Sequence, residues 1–272
     1  MRLGGASPTG ANRPIDGLPS AIVIARSRPG RQLVLPALIG GAWLLIAVGQ
    51  VTGNAALVHD HGSAVIAGAA PLGTWATFMA AWLVMVVATM LPASLPSVRA
   101  IGRAAAPTAG LISGAAAFAA TLVGVWVVFG SAVFVAEAAL RQVAAASPWL
   151  GARPWLIDAV IVGLAGAYQF LPLKRRSLAA CRHPAAAGEP AATTPAAFPA
   201  GLRHGFACVG SSGILMVVMV ATGLGGLWWM AALTGVVFYE TTGRHGRTAA
   251  SAVGLLLLWL AVLIALPGWL PA

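Results

Sequence analysis

The sequence predicts an all-α fold, a polytopic bundle of about seven transmembrane helices. Of the 272 residues 59% are hydrophobic and only 8% are charged, whereas a soluble domain carries about 25% charged residues. Apolar blocks of roughly 20 residues or more, the length that crosses a bilayer, recur along the chain. This composition excludes a soluble globule, and two cysteines exclude a disulfide-stapled module.

Each helix is predicted from an apolar block that lies between charged residues. The block from His204 to Glu240 is long enough for two helices, and the glycine-rich stretch 222–226 within it favours a tight turn. The predicted helices span 33–52, 72–92, 108–136, 154–172, 204–221, 226–241 and 250–267.

The distribution of basic residues predicts the orientation of these helices. With the N-terminus in the cytoplasm and the C-terminus outside, only Arg141 and Arg153 of the 16 Lys and Arg residues lie outside, which leaves 14 inside. Such a bias matches the positive-inside rule and predicts a multi-pass protein of the bacterial cytoplasmic (inner) membrane. The net charge of +10 then suits the anionic lipid bilayer. Nucleic acid is not expected as a partner, because the arginines are scattered without a dense stripe.

Two segments outside the apolar blocks are predicted to be flexible. Residues 1–32 form a basic arm rich in Gly, Pro, Ser and Arg without periodicity, which is typical of disorder. The transmembrane domain then spans 33–272 and contains a proline- and alanine-rich cytoplasmic linker at 184–200.

Small residues recur four apart on the third predicted helix. Gly110 with Gly114, and Ala120 with Gly124, each share one face. Such faces permit close helix approach, either within the bundle or against a membrane-protein partner or a second copy of the chain.

Cysteine and histidine residues near the cytoplasmic side are the candidate metal ligands. Cys208 follows His204 by four residues, so both side chains lie on one helical face and can point at one ion. Cys181 and His183 lie in the preceding cytoplasmic segment. Cys and His sets suit Zn²⁺ or Cu(I), although a free cysteine in an apolar helix is also common as a small hydrophobic residue.

Glu240 and two methionines have two interpretations each. Glu240 ends the sixth predicted helix, either as a functional group in the membrane or as a carboxylate paired with Arg244 four residues on. Met85 and Met90 could supply thioethers to Cu(I), but a spacing of five residues directs them differently and favours core packing.

Three segments together resemble a bacterial family of predicted metal-binding integral membrane proteins whose function is unknown. They are WLVMVVATMLPASLP at 82–96, AGAYQFLPLKRRSLAACRHP at 165–184 and HGFACVGSSGILM at 204–216. Their order and spacing match the family across roughly 72–242. The resemblance implies that the protein binds a metal ion.

The chain departs from the family pattern at several positions that would supply sulfur. Serine replaces the first cysteine of a Cys-x3-Cys pair and both members of a Cys-Cys pair, and threonine replaces one methionine. A hydroxyl is a much poorer ligand than a thiolate for a soft metal. The replaced positions are Ser177, Ser211, Ser212 and Thr89.

These observations lead to two functional hypotheses. The first is a membrane protein that handles or senses a soft metal ion, copper or zinc, at its cytoplasmic face through Cys181, His204, Cys208 and Glu240. The second is a non-catalytic structural or accessory subunit of a larger membrane complex that has lost the metal site. A transporter ranks third, because neither paired broken helices nor a chain of intramembrane charges is visible. An enzyme is disfavoured, because the sequence places no general acid–base pair in one cavity.

Overall fold

A computed structural model describes residues 29–52, 71–104, 114–182, 194–221 and 227–266. Within these ranges the chain forms nine α-helices and no strand, which agrees with the predicted all-α class. The helices are α1 (Pro29–Val51), α2 (Pro71–Ala104), α3 (Gly114–Ala146), α4 (Pro148–Gly151), α5 (Pro154–Tyr168), α6 (Pro172–Arg182), α7 (Thr194–Ala221), α8 (Leu227–Thr242) and α9 (Gly246–Ala265).

Each predicted helix has a counterpart, but several boundaries differ. The second helix continues beyond 92 to Ala104, although it contains two prolines. Helix α7 begins at Thr194, inside the predicted linker 184–200. The turn predicted at 222–226 and most of the N-terminal arm, residues 1–28, lie outside the described residues.

Among the described helices, fewer than the predicted seven are long and apolar enough to span a membrane. Five described helices are long and apolar enough to cross, and a sixth span results if α5 and α6, which are bent by 63°, count as one. Pro172 begins α6 just after the break, where its ring restricts the preceding backbone. Helix α8 has only 16 residues, fewer than the roughly 20 that a straight crossing needs.

A proline inside α2 provides the attachment point of α1. Pro92 has no backbone N–H, so the carbonyl of Ala88, four residues earlier, receives no helical hydrogen bond from it. The Trp43 indole Nε1 of α1 donates to this carbonyl at 3.1 Å. The bond also directs Trp43 toward a neighbouring helix.

The core between α2 and α3 is built around Trp82. This buried indole donates to the Trp126 carbonyl at 2.9 Å and stacks on Phe78 with ring centroids 5.7 Å apart. A Cβ added at Gly130 would lie 2.5 Å from the Trp82 Nε1 atom. Gly130 therefore leaves the space that the indole occupies.

Close approach of α7 to α3 uses glycines of α7. A Cβ at Gly201 would lie 2.7 Å from the Phe118 carbonyl oxygen, so this contact leaves no room for a larger residue. The pair Ala120 and Gly124 on α3 is instead exposed, and a Cβ at Gly124 would meet nothing within 4 Å. This pair thus makes no close contact within the described bundle.

Large apolar side chains cover the outer surface of the bundle. Only 11% of the candidate span of α1 and 17% of that of α9 are buried inside the structure. Their outward faces carry Leu44, Leu255 and Trp259, all of which are exposed. An apolar surface of this extent is compatible with a lipid surround.

Candidate metal site

The bend between α5 and α6 is held against the middle of α7 by two side chains. The Tyr168 hydroxyl at the end of α5 donates to the Gly210 carbonyl at 2.7 Å. The Lys174 ammonium of α6 donates to the next carbonyl, that of Ser211. The two bonds anchor α6 along α7, which brings the thiols of these helices together.

Cys181 on α6 and Cys208 on α7 form a pair of neighbouring free thiols. Their side chains are close enough to interact electrostatically. Cys208 is 4% exposed and Cys181 is half-buried. The pair combines the two thiols that the sequence offered as ligands, although 27 positions separate them along the chain.

Hydroxyl groups surround this thiol pair. The Cys181 sulfur lies 3.6 Å from the Ser211 hydroxyl oxygen. Ser211 and Ser212 donate to the Cys208 carbonyl at 2.9 Å and 2.8 Å. Ser177 on α6 faces α7 at Gly210. Two of the positions that depart from the family pattern, Ser211 and Ser212, therefore lie beside the two cysteines that remain, and a third, Ser177, lies between the same two helices.

Methionine sulfur lies next to two hydroxyls. The Ser212 hydroxyl oxygen lies 3.3 Å from the Met90 sulfur of α2, and the Thr89 hydroxyl oxygen lies 3.9 Å from the Met216 sulfur. Met90 and Cys208 belong to one buried cluster. Sequence spacing favoured core packing for Met90, and it could not show that a serine connects this thioether to the helix of Cys208.

His204 lies apart from the thiol pair in its contacts. Its Nε2 atom is 3.3 Å from the Ser94 hydroxyl of α2, and its ring packs on Phe118 at a centroid distance of 5.4 Å. Among the described residues its buried Nδ1 atom has no hydrogen-bond partner. The described contacts of His204 are thus with Ser94 and Phe118 rather than with the thiol pair.

Glu240 pairs with a lysine that the sequence analysis did not select. The Lys174 Nζ atom lies 2.6 Å from Glu240 Oε2, and these side chains are 0% and 2% exposed. The alternative pairing with Arg244 is wrong, since the carboxylate turns inward and Arg244 is exposed. Lys174 lies in the Pro-Leu-Lys run of the second segment that resembles the family. Two arginines follow it directly, so the sequence alone gives it the character of a basic cytoplasmic cluster.

The four predicted metal residues therefore fall into three local environments. Two form the thiol pair, one contacts Ser94, and one is neutralised by Lys174. In the described part of the chain, no group of three or more His, Cys, Asp or Glu residues could hold a metal ion. Metal binding by Cys181, His204, Cys208 and Glu240 stays a prediction, with the thiols as its best-placed members.

Comparison with known proteins gives a family match. A family model described as "PpoB2: Copper chaperone" matches residues 79–264, about two thirds of the chain, from α2 to α9. No curated protein and no solved structure matches the chain.

Proposed function

The chain belongs to the PpoB2 copper chaperone family, and on that premise we propose that it binds Cu(I) through the thiolates of Cys181 and Cys208. The observation that carries this proposal is the proximity of the two thiols across α6 and α7, where Ser211 contacts the Cys181 sulfur and the Cys208 carbonyl. Soft thiolate and thioether ligands select Cu(I). Both cysteines are free, so both are available to a metal ion.

The surroundings of the pair favour copper over zinc. A structural zinc site is tetrahedral and is closed by Cys, His, Asp or Glu ligands. The described residues bring no third such ligand to the pair. A thioether does lie close by, at Met90, whose sulfur is 3.3 Å from the Ser212 hydroxyl. Two thiolates with a neutral sulfur nearby suit a soft monovalent cation.

We further propose that the protein is embedded in a bacterial inner membrane with its N-terminus in the cytoplasm. The exposed apolar faces of α1 and α9 support insertion into lipid. With the seven crossings that the sequence predicts, the distribution of arginines supports the orientation, because 14 of the 16 basic residues then face the cytoplasm. The thiol pair would lie toward that face, where copper would be received.

Copper binding by the purified, reduced full-length chain tests the proposal. Competition with a chromogenic Cu(I) chelator in detergent is expected to show stoichiometric binding. Cys181→Ser and Cys208→Ser should each weaken it by about a hundredfold or more, because a hydroxyl replaces a thiolate. Met79→Leu is the matched control, since the Met79 sulfur contacts Ser131 on α3. The Met79→Leu protein loses a buried sulfur and should retain copper binding.

A gain-of-binding variant makes the test two-sided. Ser211→Cys places a third sulfur close to Cys181 and should tighten copper binding, whereas Ser131→Cys near Met79 should not. A wild-type chain that binds no copper would contradict the proposal. If the wild-type chain binds no copper but the Ser211→Cys protein does, the result would favour the alternative hypothesis. In that hypothesis the protein is an accessory subunit that has lost its metal site.

A further inference from the structure

A cavity of about 390 Å³ opens beside the thiol pair, between α2, α6 and the end of α8. Its lining includes Ser97, Cys181, Arg182, Thr241 and Arg244. This volume lies in the range of small-molecule sites, roughly 300–1,000 Å³. The cavity is thus large enough for a small organic ligand in addition to a metal ion.

The lining of this cavity is basic and rich in hydroxyl groups. Two arginines contribute to it, and no aspartate or glutamate is among its lining residues in the described part of the chain. Ser97 and Thr241 add hydroxyl groups. Guanidinium groups bind carboxylates with directed, charge-assisted hydrogen bonds. The cavity therefore suits an anionic ligand.

The two arginines have different constraints. Arg182 donates from Nε to the Glu240 and Thr241 carbonyls at 3.1 Å and 3.2 Å and from Nη2 to the Gly243 carbonyl. These bonds fix it at the end of α8. Arg244 is exposed at the rim of the cavity, so its side chain can move to meet a ligand.

Only one thiol of the pair reaches the cavity. Cys181 lines it and is half-buried, whereas Cys208 lies behind at 4% exposure. A ligand in the cavity would meet Cys181 first. Lys174 lies within electrostatic reach of Cys181, and the nearby Glu240 neutralises that lysine.

We propose that this cavity receives Cu(I) as a complex with a small anionic thiol, whose carboxylate binds the arginines while its copper faces Cys181. The inference rests on the proposed copper binding. The Cys181 thiol gives up its proton and its sulfur bonds to copper, one copper–sulfur bond to the carrier breaks, and the released carrier thiolate takes the proton. Cys208 displaces a second carrier thiolate in the same way. Copper remains Cu(I) throughout, so no oxidant or reductant is needed.

The charge selectivity of the cavity can be measured without copper. In the full-length Cys208→Ser protein, Cys181 is modified by an anionic sulfonatoethyl or a cationic trimethylammonioethyl methanethiosulfonate. Each rate is normalised to that of a free small thiol. The anionic reagent should be favoured, and Arg244→Gln should lower this preference by about fivefold, the factor for losing one close surface charge. Arg247→Gln removes an exposed arginine of α9 outside the lining and should change it little.

Delivery of copper separates this inference from the proposed function. Uptake is compared from Cu(I)–glutathione, an anionic carrier, and from Cu(I) with 2-mercaptoethanol, a neutral one. Arg244→Gln should slow uptake several-fold from the anionic carrier alone. If copper is taken up from neither carrier, the proposed copper binding is overturned. The ratio of the two methanethiosulfonate rates still decides the charge selectivity of the cavity in that case. An unreactive Cys181, or equal effects of Arg244→Gln and Arg247→Gln, would overturn the present inference.

Discussion

Lys174 and Glu240 form an ion pair that is almost completely removed from solvent. The attraction between such groups barely offsets the cost of taking them out of water, so the pair itself adds little stability. Removal of one partner is much more costly, because the other charge stays buried and uncompensated. The pair also joins α6 to α8, and so it holds the helix of Cys181 in place.

Glu240→Gln should therefore lower the free energy of unfolding by about 3–5 kcal/mol. The measurement is denaturant unfolding of the purified chain in detergent. Arg141→Gln is a control of the same kind, since it breaks the ion pair with Glu137, in which the arginine side chain is 36% exposed. It should cost no more than about 1 kcal/mol. Equal losses from the two variants would show that the buried pair is not a structural link.

At this scale the sequence revealed the groups but not their partners. Glu240 stood out because carboxylates are rare in apolar segments, and the thiols stood out by their type. Their partners are 66 and 27 positions away along the chain, and helical spacing carries no information about contacts at such separations. The family resemblance marked Ser211 and Ser212 as replaced positions, and the structure places both beside Cys208.

Helix packing depends on glycines that the pattern of small residues did not identify. Gly130 gives room to the Trp82 indole, while Gly124, six residues earlier on α3, faces open space. The two positions differ in packing although both are glycines of one helix. The four-residue spacing of small residues pointed to the exposed Gly124 and not to the buried Gly130.

Gly130→Ala should destabilise the bundle by about 1–3 kcal/mol, because the added methyl group displaces a buried, hydrogen-bonded indole. Unfolding and the fluorescence of the core tryptophans report the change. Gly124→Ala provides the comparison and should be neutral or stabilising by up to about 1 kcal/mol, the difference in helix propensity. A larger loss from Gly124→Ala than from Gly130→Ala would contradict this account of α3.

Helix positions could be predicted because apolar blocks between charges are long and distinct. The bend after Tyr168 could not, since residues 154–172 read as one continuous apolar stretch. The break becomes evident only with the hydrogen bonds that Tyr168 and Lys174 make to α7. That bend brings the two thiols together, so the feature that the pattern missed is also the one that creates the candidate site.

For the whole molecule, orientation follows from charge and from the number of crossings. An alkaline phosphatase fused after Ala272 should be active if the C-terminus lies outside, because this enzyme matures only beyond the inner membrane. A fusion after Arg182, at the basic end of α6, should be inactive. A fluorescent protein fused at each point serves as the reciprocal reporter. The reverse pattern would invert the orientation and place the cavity on the other side.

Trp43 occupies an acceptor that Pro92 leaves vacant on α2. That acceptor reaches a fixed position only after α2 has folded around its prolines. Helix α1, which precedes α2 in the chain, can therefore make this hydrogen bond only when α2 is complete. The attachment of α1 through Trp43 thus depends on a helix that is translated after it.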